Sequence, residues 1–142
     1  MMIKQISIFI ENKSGRLAEV TRTLGENDID LIAISISDTT DFGILRLIVN
    51  KPDKAEEVLK DNGLTVNITE VIAISVTDKP GSLAKALTVL SNQSIGIEYM
   101  YAVGKDTNGA VVIMRVDDAA EAIEILKNEN ITVLNSEKVY NL

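Results

Sequence analysis

Isoleucine recurs at every second position at the start of the chain, where Ile6, Ile8 and Ile10 alternate with Gln5, Ser7 and Phe9. That period of two predicts a strand with one strongly apolar face. From Leu17 the spacing changes to three and four, through Val20, Thr21 and Leu24, which sets these positions on one face of a helix. Two apolar runs, Ile32 to Ile36 and Ile44 to Val49, flank the turn-rich stretch Asp38 to Gly43 and predict a hairpin. Pro52-Asp53 then opens a second helical pattern carried by Ala55, Val58 and Leu59, and Leu64 to Ile68 predicts a closing strand.

The pattern then runs a second time. Ile72, Ile74 and Val76 repeat the first strand, and Leu83, Ala86, Leu87 and Leu90 the first helix. Glu98 to Val103 and Ala110 to Val116 form the second hairpin around Gly104 to Gly109. Ala119, Ala122, Ile123 and Leu126 follow Asp117-Asp118 as the second helix, and Ile131 to Leu134 predicts the last strand. Sliding the sequence by 66 positions gives nine identities among the 47 pairs from 3/69 to 49/115, among them Ile6/Ile72, Lys13/Lys79, Gly15/Gly81, Leu17/Leu83, Leu24/Leu90 and Gly43/Gly109. One residue inserted after that stretch restores the match at 67, with Ala55/Ala122, Leu59/Leu126 and Val66/Val133. The chain therefore reads as a duplication, with domains at 1–68 and 69–142.

Each copy has the order strand, helix, strand, strand, helix, strand. Right-handed crossovers turn that order into a four-stranded antiparallel sheet with both helices on one face. The predicted class is α+β, two ferredoxin-like βαββαβ repeats packed together. The connection near Asn67 to Glu70 is too short for a flexible linker, so the copies are expected to form one rigid body. The tail Ser136 to Tyr140 follows the last strand as Thr69 to Ala73 follows the fourth. It is expected to add a strand at an exposed edge or to end as a frayed terminus.

Composition narrows the chemistry. Lysine and arginine number 14 against 21 acids, a formal charge of −7, and there is no Cys, His or Trp. Without imidazole or thiol, most nucleophilic, zinc-dependent and near-neutral acid–base catalysis is removed, so no catalytic or metal-binding residue is assigned and no enzyme is expected. An acylphosphatase-like hydrolase would need an arginine-rich phosphate cradle, yet the loops carry only Arg16. RNA binding on this topology would need exposed aromatic and basic residues on the sheet, and only five aromatics are present, so no nucleic-acid partner is expected. The apolar runs fall far short of the roughly 20 residues that span a bilayer, so neither an export leader nor a membrane partner is expected, and the cytoplasm is the default location. The acids Glu56, Glu57, Asp117, Asp118, Glu121 and Glu124 read as helix starts and solvated faces.

The distinctive segments are Asn12-Lys13-Ser14-Gly15-Arg16-Leu17 and Asp78-Lys79-Pro80-Gly81-Ser82-Leu83, each between the first strand and first helix of its copy. Glycine lets backbone approach a guest, and the start of the following helix presents unpaired N–H groups to a carboxylate. Asn12 or Asp78 suits an ammonium. The same glycines also fit a plain strand-to-helix turn, with Asn12 and Asp78 as turn or capping residues. Arg16 suits a carboxylate clamp or a solvated first-turn charge, whereas Lys13 and Lys79 read as solvent-facing.

With its Asn/Asp-x-x/Pro-Gly-x-Leu pattern in this element order, the sequence resembles the ACT domain family over nearly the whole chain. The second copy, with its Pro80-Gly81 pair and Ser94-Ile95-Gly96-Ile97, is the closer match; Ser14 replaces the usual proline in the first. The resemblance implies a tandem ACT protein without an attached catalytic domain, a regulatory binder of a free amino acid at the interface between two ACT units. It places ligand contacts at Asn12, Ser14, Gly15, Arg16, Leu17 and Asp30, and at Asp78, Gly81, Ser82 and Leu83. Gly96 has no side chain where Asp30 does, so the two sites are not equivalent. Ile10 and Val76 are apolar where serine-binding members are polar, so serine is not carried over. Tyr99 and Tyr101 flank Met100 and are expected to share a sheet face, either shaping a ligand pocket or packing between sheets. No cofactor is implied. The expected partners are a free amino acid and either a second copy or a metabolic enzyme, and the alternative is a ligand-free regulatory or structural subunit of such an enzyme.

Overall fold

Strand β1 (Ile3–Glu11) directs Ile6, Ile8 and Ile10 to one side, where all three are buried. In the antiparallel partner β3 (Phe42–Val49), Leu47 stands opposite Ile6 and Leu45 opposite Ile8, so the apolar sets of the two strands share that face. Helices α1 (Arg16–Glu26) and α2 (Pro52–Asp61) cover it through Val20, Leu24, Ala55 and Leu59. Burying a leucine or isoleucine of this kind contributes about 1.5–3 kcal/mol. The edge strand β2 (Leu31–Asp38) pairs with β3, and the first residues of β4 (Thr65–Val76) lie beside β1, where the Ser7 and Thr69 hydroxyl oxygens are 3.5 Å apart. The computed structural model describes residues 2–11, 13–38, 41–105 and 109–142.

The second unit is built the same way. Its sheet runs β5 (Ile97–Lys105), β6 (Ala110–Val116), the later residues of β4, then β7 (Thr132–Val133). Helices α3 (Ser82–Asn92) and α4 (Ala119–Asn128) contribute Ala86, Leu90, Ala122 and Leu126 to a core with Ile72, Ile74 and Val76. The main segments of the two compact units are Lys4–Thr69 and Glu70–Tyr140. Each is the α+β, ferredoxin-like antiparallel sheet with both helices on one face that the periodicity predicts.

Three expectations are corrected. The fourth strand of the first copy and the first strand of the second are one continuous strand, β4, because Asn67 to Glu70 contains no glycine or proline to break the extended chain. The inserted residue falls in the hairpin and not after it. Ile10 pairs with Gly43 while Val76 pairs with Ala110, so the register matches Gly43 to Ala110. Gly109 is a turn glycine at φ 149°, where an added Cβ would run into the Val76 carbonyl, so its identity with Gly43 is coincidental. Finally, the tail is neither strand nor frayed: Ser136–Tyr140 is a short helix, α5. Asn135 starts it, its side-chain oxygen accepting the Lys138 N–H at 2.8 Å, and Val139 is fully buried.

All four longer helices end alike. After α1 the Ile29 N–H reaches back to the Leu24 carbonyl at 3.0 Å and the Asp28 N–H to Gly25, and the same pair of bonds closes α2, α3 and α4. This is the Schellman arrangement, which needs one left-handed residue. Gly63 supplies it after α2, but Asp28, Ser94 and Asn130 do so with φ of 57°, 59° and 59°. Serine gains least in that conformation. Ser94→Gly is therefore expected to stabilise the protein by about 0.5–1 kcal/mol and Gly63→Ala to destabilise it by about 1 kcal/mol, read as opposite shifts of the denaturant midpoint.

Candidate functional site

Both strand-to-helix loops fold by one set of backbone bonds. The Lys13 N–H donates to the Glu11 carbonyl at 2.9 Å and Lys79 to Thr77 at 2.8 Å; Arg16 donates to Lys13 at 3.3 Å and Ser82 to Lys79 at 3.2 Å. Gly15 and Gly81 occupy the N-cap positions with φ of 90° and 89°, in the left-handed region that glycine adopts without cost. No heavy atom lies within 4 Å of where a Cβ would stand, so backbone conformation and not crowding requires glycine there. Neither cap provides a side-chain bond to its helix.

Beside each loop lies a cleft within its own unit, between the end of the first strand, the first turn of the helix and the turn after the second helix. The first, about 200 Å³, is lined by Phe9, Ile10, Glu11, Arg16, Glu19 and residues 62–65. The second, about 350 Å³, is lined by Ser75, Val76, Thr77, Ser82, Lys85 and residues 130–132. At shifts of 66 and 67 these are corresponding positions, yet their chemistry differs. In the first, Arg16 lies 3.2 Å from Glu19 and 4.0 Å from Glu11, and Lys13 lies 2.7 Å from Glu11. The hydrogen bond and charge of Lys13, with the charge of Arg16, hold the Glu11 carboxyl below the ordinary glutamate range. In the second, threonine, serine and lysine replace Glu11, Arg16 and Glu19, and the Thr77 and Ser82 hydroxyl oxygens are 2.6 Å apart.

Of the residues singled out from sequence, Arg16 and Ser82 line these clefts. Arg16 clamps carboxylates of its own chain. Ser14, Gly15, Asp78 and Gly81 are exposed on the loops, Leu17 is 42% exposed, and Leu83 packs against the second core. Asn12 lies outside the described residues.

Asp30 is elsewhere in its unit. The 11 residues of α1, about 16 Å of helix, separate it from the loop. It lines a third cleft of about 270 Å³ with Gly25, Asp28, Ile29 and Asn50. There the Asp30 N–H donates to the Asn50 side-chain oxygen at 2.9 Å, and the Asn50 N–H returns to the Asp30 carbonyl at 3.2 Å. The Gly96 N–H donates to the Asp117 carboxylate at 2.8 Å with the same return bond, so Asp117 reaches across to Gly96 and leaves Asp118 to cap α4. An added Cβ at Gly96 would collide with that carboxylate.

Tyr99 and Tyr101 pair with Arg115 and Ile113 and share the sheet face away from the helices, and neither lines the second cleft. Sequence reasoning passed over Glu11, Glu19, Thr77, Lys85, Asn130 and Thr132. The internal alignment carried the signal, since 11/77 and 19/85 exchange acids for neutral or basic residues.

Two outcomes follow from this geometry. In an NMR pH titration Glu11 is expected to titrate below the ordinary glutamate range, and Lys13→Met to return it upward. Because its folded pKa is depressed, any stability it adds is present above the unfolded value and lost as pH falls through the folded one. Gly96→Ala is expected to cost about 1–3 kcal/mol in denaturant unfolding, since the Gly96 N–H loses its acceptor when Asp117 swings aside.

Comparison with known proteins adds the family. A model described as an ACT domain pair matches residues 1–142. Protein BT0572 from Bacteroides thetaiotaomicron is similar over 100% of this chain and 98% of its own, at 48% identity and a TM-score of 0.95. The regulatory subunit of aspartate kinase from Thermus thermophilus matches at 18% identity and a TM-score of 0.66, over 89% of this chain and 93% of that one. Aspartate kinase from Synechocystis matches over 96% of this chain and 27% of its own, at 23% identity and a TM-score of 0.59. No curated protein sequence matches. With the family model spanning the whole chain, this protein belongs to the ACT domain pairs.

Proposed function

We propose that this chain is a regulatory protein that binds a free amino acid at its strand-to-helix loops and responds by changing how it associates with a second copy or a partner enzyme. The observation that carries this reading is the repetition of one loop geometry, with a left-handed glycine and a neighbouring cleft, in both units. Exposed Ser14, Gly15, Asp78 and Gly81 offer backbone N–H groups and a carboxylate to a zwitterion. Asn12, Leu17 and Leu83 are further contacts in this reading, with Asp30, Tyr99 and Tyr101 supplied by a second copy of the chain. The protein does no chemistry on its ligand. Among the described residues, no three or more His, Cys, Asp or Glu gather as metal ligands, and no helix is long and apolar enough to cross a membrane.

A second reading is a ligand-free regulatory or structural subunit of an amino-acid metabolic enzyme. Two observations favour it: the likeness to a separate regulatory subunit of aspartate kinase, and the half-exposed Phe9, Phe42 and Ile44 on one sheet face. Phe9 and Phe42 stack with ring centroids 5.1 Å apart.

Thermal unfolding against the twenty amino acids at millimolar concentration separates the readings, because a ligand of the native state alone raises the transition temperature. The expected result is a rise with one amino acid or a narrow group, amounting to about 2.7 kcal/mol at a hundredfold excess over Kd, and reduced in Asn12→Ala or in Asp78→Ala and Gly81→Val, according to which loop binds. No rise with any amino acid moves the assignment to the subunit reading.

A further inference from the structure

The two clefts are the same place in two copies of one fold, so their difference isolates what each accepts. The first is neutralised from within. Arg16 lies between Glu19 and Glu11, Glu11 is further engaged by Lys13, and the remaining space is about 200 Å³. An incoming anion meets two carboxylates there, and a cation meets Arg16.

The second cleft has lost both acids and is larger, about 350 Å³. Lys85 stands where Glu19 does, α3 carries no acid in its first turn, and among the described residues no carboxylate lies within ion-pair distance of the Lys85 ammonium. In the Thr77–Ser82 contact of 2.6 Å, one hydroxyl donates to the other, which leaves one O–H free to donate outward. Asn130 adds an amide with two donors, held at the cleft by the left-handed turn that ends α4. One cation, a hydroxyl and an amide facing a single opening form a donor set for a small carboxylate.

We infer that the cleft of the second unit alone holds the ligand's carboxylate, with Lys85 as its counter-ion and Ser82, Thr77 and Asn130 as its hydrogen-bonding partners, while the corresponding first cleft is closed by its own ion pairs. This rests on the amino-acid reading for the source of the carboxylate and on the cleft alone for its place. A chain with two copies of the loop then binds one ligand per chain through this contact.

The test is calorimetric titration of the full chain with the amino acids and with acetate and propionate as amine-free probes. In the expected result one amino acid binds at one per chain, Lys85→Gln weakens it about tenfold or more, and Lys79→Gln, on the exposed loop, leaves Kd unchanged. The triple variant Glu11→Thr, Arg16→Ser, Glu19→Lys is expected to raise the count toward two. If Lys85→Gln alters the ligand-free transition temperature, Ser82→Ala reports on the same contact. Binding that survives both Lys85→Gln and Ser82→Ala overturns the inference and leaves amino-acid binding standing. Amino acids that fail while acetate or propionate binds in a Lys85-dependent way overturn the amino-acid reading and leave the cleft standing. Silence from every carboxylate overturns both.

Discussion

Each unit depends on one constraint: its central strand must present an unbroken apolar face to two helices. Ile6, Ile8 and Ile10 do so in the first unit, and Ile72, Ile74 and Val76 in the second. Because a strand's side chains alternate, a slip of one residue would turn Gln5, Ser7 and Phe9 toward the helices and the isoleucines away from them. That fixed register determines where the strand ends, and the strand's end determines where the loop and the helix start. The left-handed glycine is the joint that takes the chain from one direction to the other within four residues in the first unit and five in the second. The loop and its cleft are thus a by-product of core registry, and their position recurs in both units because the core pattern does.

Within that shared frame, Ile10 and Val76 at the cleft belong to the cores, whereas the polar positions 11/77, 16/82 and 19/85 lie outside them and have diverged in charge. A position such as 19 or 85 lies on the outer part of a helix whose inner face is fixed by Val20 and Leu24 or by Ala86 and Leu90. Reversing its sign therefore leaves the fold untouched while changing what the cleft attracts. Long-range charge works in the opposite direction: a net charge of −7 repels an anion, so what the second cleft attracts depends on Lys85 as a local exception.

The fold was legible in the sequence because its signals are local and periodic. The alternation around Ile8 and Ile74, the three-four spacing of α1 and α3, and the Pro52 and Asp118 helix starts each name an element without reference to the rest. What was not legible depended on contacts across elements. The lack of glycine or proline in Asn67 to Glu70 permits a continuous strand without requiring one, and the hairpin that absorbs the extra residue is located only by the pairing of Ile10 and Val76. The tail has strand-like composition, but Asn135 captures the Lys138 N–H and turns it into a helix. At the site, the glycine loops stood out by motif, whereas Thr77, Lys85 and Asn130 converge from three separate segments and carry no motif of their own.

The crossed bonds that join residue 30 to 50, and 96 to 117, bear on how two copies of one gene segment drift apart. In the first pair a side chain at 30 coexists with an amide at 50; in the second the carboxylate at 117 occupies the room that a β-carbon at 96 would take. The dependence runs one way: asparagine at 117 could accept the Gly96 N–H as Asn50 accepts the Asp30 N–H, whereas a side chain at 96 needs the Asp117 carboxylate to swing aside. Exchange of segments between the copies that brings a side chain to 96 and keeps Asp117 would therefore crowd its seam, while the reverse exchange would not, so the two halves can trade this joint in one direction only.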